Sequence, residues 1–169
     1  MNWRWAEVME QALTLSPLQL RQLLFKRVSI EALFPVEDAQ SHWAPSFDFT
    51  ETEIQLNVEL GEREQDDPDS PYEYRMGVQL QLIPSEAAKP QAPYSIDVAA
   101  QAWLSFHDHD TQPEKRRSIV EVNGASMLIG AIREEIARIT ARSTLGTLTL
   151  PTLRIIPGQL TKTIEQPSE

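Results

Sequence analysis

The sequence predicts an α+β fold: a four-stranded antiparallel meander sheet with one long helix packed on one face and a short N-terminal helix added. Three observations predict it. Apolar and polar residues alternate strictly over three stretches, the habit of strands buried on one face and wetted on the other. Connections rich in Pro, Gly and Asp separate these stretches, so consecutive strands are expected to be neighbours. From Ala125 the apolar period changes from two to helical spacing, in the only stripe long enough to roof such a sheet.

Trp5, Val8, Met9, Ala12 and Leu13 recur at helical spacing with Glu7, Glu10 and Gln11 opposite, which gives a short amphipathic helix broken at Ser16-Pro17. The run from Leu20 is rich in leucine in its first half and suits a helix there. Its second half alternates Val28 and Ile30 with Ser29 and Glu31, so the run is read as a strand that Pro35 ends. The next strand places Thr52, Ile54, Leu56, Val58 and Leu60 on one face. Gly61 and Asp66-Asp67-Pro68-Asp69 supply the turn chemistry that follows. Tyr72, Tyr74, Met76, Val78, Leu80 and Leu82 share a face of the third strand, and Tyr94, Ile96, Val98, Ala100, Ala102, Leu104 and Phe106 share a face of the fourth. Ala125, Leu128, Ile129, Ile132, Ile136 and Ile139 then form the helical stripe. After Arg142 the chain reads as irregular, with at most a short turn of helix around Leu160 to Ile164. The resulting division is an N-terminal helical extension (1–19), a central domain (20–155) and a loose tail (156–169).

At 169 residues the chain suits one domain, which buries roughly 70% of the surface its unfolded form exposes. It has no cysteine, which excludes thiol chemistry and Cys-based zinc sites. A formal net charge of −10 argues against tracking nucleic-acid phosphates or binding anionic membranes, and fits basic partners. The first residues lack the basic-then-apolar order of a signal peptide, and no run approaches the roughly 18–20 apolar residues that span a bilayer. A soluble cytoplasmic protein is expected.

No catalytic site assembles. Gly124 and Gly130 are followed by Ala131-Ile132, not by the Lys-Ser/Thr of a phosphate-gripping loop. Gly124-Ala-Ser126-Met-Leu lacks the closing glycine of a nucleophile elbow, so Ser126 is read as a residue near a helix N-terminus. His107-Asp108-His109-Asp110 is the one cluster with metal-ligand character, and His42 is the only other imidazole. A catalytic zinc wants three protein ligands, so the cluster is read as a polar strand exit and turn; no metal or cofactor is expected. Glu134, four residues before Arg138, reads as a surface pair. Phe34, Trp43, Phe47 and Phe49 crowd a Pro-bounded connector. They either cap one end of the sheet or line an apolar groove open to another polypeptide.

With the elements placed, four blocks resemble the SecB family of export chaperones. Leu23-Leu24-Phe25-Lys26-Arg27-Val28-Ser29-Ile30-Glu31-Ala32 is similar to the family's first strand, Ile-Tyr-x-Lys-Asp-Ile-Ser-Phe-Glu-Ala. Trp43-Ala-Pro45 matches a Trp-x-Pro before strand two, and Tyr94-Ser-Ile-Asp97-Val98 an aromatic-start fourth strand. The stretch from Asn123 to Ile136, continuing through Arg142 to Thr152, resembles the helix motif Leu-Phe-Pro-Tyr-x-Arg-Glu and the loop after it. The blocks keep the family's order and span most of residues 20–155.

The resemblance implies a dimer of dimers, a homotetramer with helices layered between sheets. It also implies ATP-independent holding of unfolded or nascent polypeptides in long apolar grooves, in the service of protein export. By position it makes Trp43, Phe47, Phe49 and Phe34 groove residues, and Glu31 and Asp97 acids that help dock the SecA motor. The departures point to a divergent member. Pro-Tyr of the helix motif is Gly130-Ala131, and the acid after Lys in the first strand is Arg27, which weakens docking on a basic surface. The family's tail motif, which engages a zinc site on SecA, is not recognisable. A narrower client, such as the labile antitoxin of a toxin–antitoxin system, is therefore an expectation beside export. The alternative is a non-enzymatic adaptor that binds one folded partner through the added N-terminal helix, with Trp3, Trp5, Met9 and Leu13 as its contacts.

Overall fold

The computed structural model describes residues 14–33, 52–65, 67–83, 94–143 and 145–156. The expected N-terminal helix and the turn around Leu160 to Ile164 lie outside the described residues. Four strands, β1 (Leu18–Ala32), β2 (Glu53–Glu62), β3 (Tyr72–Ile83) and β4 (Tyr94–Phe106), precede one helix, α1 (Pro113–Thr140). The α+β class and its antiparallel sheet are as the alternation predicts.

The order across the sheet is β1-β4-β3-β2, antiparallel throughout. The meander therefore holds over β2, β3 and β4, and the expectation that β1 lies beside β2 is corrected: β1 pairs with β4. The links 63–71 and 84–93 are short enough to keep their strands adjacent, whereas 33–52 is long enough to carry the chain across the sheet.

Register decides which faces are buried. Ile54, Leu56, Val58 and Leu60 lie opposite Leu82, Leu80, Val78 and Met76, so one face of the β2–β3 ladder is continuously apolar. On β4 every residue of the matching face, from Tyr94 through Val98 and Ala102 to Phe106, is buried. Helix α1 covers this face. Val120, Gly124, Leu128, Ile132 and Ile136 are buried at four-residue intervals, one ridge of side chains laid on the sheet. Fully burying a side chain of the Leu or Ile kind is worth roughly 1.5–3 kcal/mol, so this ridge is the main attachment of helix to sheet.

The helix starts earlier than its apolar stripe. Pro113 occupies the first turn, where its missing N–H costs no hydrogen bond, and Glu114 faces the positive end of the helix dipole. Ser126 is accordingly not near the N-terminus: it sits mid-helix, its Oγ donating to the Val122 carbonyl at 2.7 Å. Beyond α1, Gly146 takes φ +80° and turns the chain back, so that Leu145, Leu148 and Leu150 are buried in the core. This strap is tied down by Tyr94, whose hydroxyl donates to the Gly146 carbonyl at 2.7 Å, and by Arg133, which donates from Nη2 to the Leu150 carbonyl at 2.9 Å.

Candidate functional site

One helix is about 10–12 Å across with its side chains, while four strands about 4.8 Å apart form a wider layer. A single helix cannot roof all four, so apolar residues on the edge strands stay partly open. The effect is largest on β1. Register sets Leu20, Leu23, Phe25, Val28 and Ile30 opposite Leu104, Ala102, Ala100, Val98 and Ile96, hence on the helix side of the sheet. Leu20 nevertheless keeps 44% of its surface exposed, Phe25 37% and Val28 39%. On the β2 edge the corresponding Ile54, Leu56 and Leu60 are half-buried. Among the described residues the helix side of β1 is thus a partly open apolar strip beside a packed core, a surface that attracts apolar segments from water.

The strand itself is irregular. Pairing skips one residue between Leu20 and Gln22 and another between Phe25 and Arg27, so Arg21 and Lys26 have no opposite residue on β4. These two bulges explain why the alternation of the first half of β1 is broken in sequence. They shift Leu23 and Phe25 onto the helix side and Leu24 onto the outer face.

The outer face of the sheet is mostly polar, with Leu24, Ile83 and Trp103 as its exposed apolar residues. Glu31 and Asp97 both lie on it, since they belong to the register of Ser95 and Ser29. Asp97 is engaged within the sheet: Arg27 Nη1 stands 2.7 Å from its Oδ2, and Gln79 Nε2 donates to its Oδ1 at 2.8 Å. The Gln79 bond, with the Arg27 guanidinium beside it, holds the Asp97 carboxyl below its ordinary value of 3.8. Arg27 therefore does more than stand where an acid is expected; it neutralises the neighbouring acid as well. Because the folded carboxyl is the stronger acid, the pair stabilises the fold above the ordinary aspartate value and loses that contribution as pH falls through the lower, folded one. Arg27→Gln is expected to cost about 0.5 kcal/mol at neutral pH, the magnitude of an exposed pair. Urea unfolding at a series of pH values should show the difference closing in strong acid.

A second ionic cluster pins the start of α1. Arg116 is buried, donates from Nε to the Tyr74 hydroxyl at 2.9 Å, and lies 3.4 Å over the Tyr72 ring. The Tyr74 hydroxyl in turn donates to Glu62 at 2.9 Å, and Arg116 Nη2 stands 3.6 Å from the same carboxylate oxygen. Burial, with the Glu62 charge behind it, pushes the Tyr74 hydroxyl up to about 12 despite the Arg116 bond, so it stays a neutral relay between cation and anion. Each polar group has its partner, and the cluster joins β2, β3 and α1.

Among the described residues, His107 and His109 do not converge. Strand β4 ends at Phe106, so His107 and His109 belong to the turn that follows it. His107 Nε2 is 3.0 Å from Ser105 Oγ, whereas the His109 ring stacks obliquely against Tyr72 at 5.3 Å. The Asp108 carboxylate accepts from Thr111 Oγ1 and from the Asp110 amide, closing the turn before α1. Among the described residues, no three His, Asp or Glu side chains are grouped to hold a metal ion. A polar depression of 220 Å³ beside the β2–β3 hairpin, between Arg63 and Glu73, brings together no catalytic set. Phe34, Trp43, Phe47 and Phe49 lie outside the described residues.

Comparison with known proteins gives structural likenesses. No family model matches the chain, and no curated protein matches it. Among solved structures, the SecB-like chaperone of Mycobacterium tuberculosis, in complex with a peptide from an antitoxin, is 19% identical, with a TM-score of 0.46 over 82% of this chain and 92% of that one. A protein of unknown function from Streptococcus agalactiae is 11% identical, with a TM-score of 0.48 over 80% of this chain and 97% of the other. Among the described residues no helix is long and apolar enough to cross a membrane.

Proposed function

We propose that this chain is an ATP-independent chaperone of SecB-like type, which holds unfolded polypeptide segments on the apolar strip that α1 leaves open beside β1. The exposure of Leu20, Phe25 and Val28 on the core side of the sheet carries the reading. It stands beside the sequence blocks from Leu23 to Ala32 and from Asn123 to Thr152. A surface that binds the unfolded chain and not its native form keeps that chain from collapsing on itself or on its neighbours, with no nucleotide needed. Export and a dedicated client such as an antitoxin both fit this chemistry. The Arg27–Asp97 pair disfavours a basic motor surface such as that of SecA, and so favours the dedicated client. Phe34, Trp43, Phe47 and Phe49 are proposed to extend the strip, and assembly as a dimer of dimers to join strips from several copies.

The test is light scattering from a denatured client diluted into buffer without nucleotide. Severalfold excess of the full chain is expected to suppress the scattering. Leu20→Ser, Phe25→Ser and Val28→Ser together should abolish most of that suppression, while each alone lowers stability by about 1–2 kcal/mol, since more than half of each residue is buried. Unchanged scattering with the natural chain would overturn the proposal.

A further inference from the structure

A tryptophan stands on the wetted side of the sheet. Trp103 and Leu24 are both exposed there, on the face away from α1. Register sets Trp103 opposite Gln22 and Leu24 opposite Gln101, so the two are diagonal neighbours on adjacent strands, about 7–8 Å apart. On β3 the same rows place Arg75 opposite Trp103 and Gly77 opposite Gln101. Arg75 is exposed and has no ion-pair partner among the described residues. Gly77 has no reason within the sheet to lack a side chain. A Cβ there meets nothing nearer than Glu59 Oε2 at 3.5 Å, pairing runs through it without a bulge, and its φ is not positive. Glycine inside a strand weakens it, and where no bulge or bend calls for it, it marks close approach from outside.

Residues 1–13 are rooted where they can make that approach. The chain enters the sheet through Pro17, whose carbonyl accepts from the His107 amide at 2.9 Å, and Leu18, which pairs with Phe106. Trp103 lies three residues from Phe106 along β4, about 10 Å at the rise of a strand. Thirteen residues reach about 20 Å even at helical rise, more than the span from Trp103 to Leu24. Their sequence fits the patch: Trp5, Val8, Met9, Ala12 and Leu13 form an apolar stripe, and Arg75 is placed to stack on an incoming indole. We infer that the apolar stripe of residues 1–13 docks on the outer face of its own sheet, over Trp103, Leu24 and Gly77. The chain thus carries its own occupant for this end of the outer face, and any protein that binds there must displace it. The strip at Leu20, Phe25 and Val28 is on the other side of the sheet, so the inference stands apart from the chaperone reading.

The experiment is thiol crosslinking in the full chain, which has no cysteine of its own. Met9→Cys with Gln101→Cys puts one thiol in the segment and the other beside Trp103 and Leu24. Met9→Cys with Gly130→Cys puts the second on the exposed side of α1 instead. A short bismaleimide is expected to bridge the first pair within one chain about tenfold faster than the second, since both pairs are tethered and only docking differs. Trp103→Gln with Leu24→Gln should bring the first rate down to the second, and Arg75→Gln should lower it about twofold to fivefold. Gly77→Val should slow the first pair as well, while the midpoint of urea unfolding does not fall. Equal rates for the two pairs would overturn the inference, as would a fast first pair that Trp103→Gln with Leu24→Gln leaves unchanged. A bridge formed only between chains and lost on dilution would assign the face to a second copy, and would overturn it too.

Discussion

Gly124→Val is expected to lower unfolding stability by about 2–3 kcal/mol, among the largest effects of any single change in the helix. A Cβ at Gly124 stands 2.9 Å from Leu104 Cδ1 and 2.9 Å from Met76 Cε, both on fully covered central strands. Ala100 and Ala102 are the small residues of β4 on the same face, so glycine and alanines together let α1 come down onto β3 and β4. A branched side chain forces the helix outward or the two side chains into other rotamers, and the packed core around Leu128 and Ile132 leaves them nowhere to go. Urea unfolding measures the loss, and a midpoint within error of the natural chain would show that the seam is looser than its distances say. Gly130 in the same helix is the control. Nothing lies within 4 Å of its Cβ position and it faces solvent, so Gly130→Ala is expected to stabilise by about 0.5–1 kcal/mol. Opposite signs for two glycines six residues apart separate packing from helix propensity.

Those two glycines also mark what local pattern reveals. The alternations of β2, β3 and β4 were legible because a half-wetted strand must alternate, and the stripe from Ala125 to Ile139 because a roofing helix must repeat. Sheet order was not, since periodicity records which face is buried and not which strand lies beside it. The first turns of α1 escaped for a different reason: its buried positions there include Arg116 and Glu121, charged residues that sequence reads as solvent-facing. Among the described residues Arg116 is satisfied by Tyr74, Tyr72 and Glu62, partners brought together by tertiary structure. The open strip was hidden by the bulges at Arg21 and Lys26, which break the alternation of β1 where it would have shown Leu20 and Phe25 on one face. The aromatic connector was conspicuous in sequence, but Phe34, Trp43, Phe47 and Phe49 fall outside the described residues. The apolar surface legible in the structure is instead on a strand whose pattern was the least regular.

Leu148→Ala is expected to cost about 2–4 kcal/mol, the usual cost of a cavity at a fully buried leucine. The strap from Leu145 to Leu150 has no regular secondary structure, so its burial depends on side chains and on three tethers from elsewhere. One is the Thr140 hydroxyl, which donates to the Ile136 carbonyl at 2.7 Å and accepts from the Leu148 amide at 2.9 Å in a buried setting. Thr140→Val keeps the shape and leaves that amide without its acceptor, for an expected loss of about 1–2 kcal/mol. The other two are Tyr94 on Gly146 and Arg133 on Leu150, and Arg133 Nε is itself buried without a hydrogen-bond partner among the described residues. Leu148→Ala removes the side chain but keeps the amide that Thr140 holds; because both changes loosen the same strap residue, the double variant should lose less than the sum of the singles. Hydrogen exchange locates the effect: in Thr140→Val the Leu148 amide should exchange at least tenfold faster while the amides of β3 keep their protection relative to global stability. Protection lost uniformly across the sheet would mean that the strap belongs to the cooperative core and is no separately tethered layer.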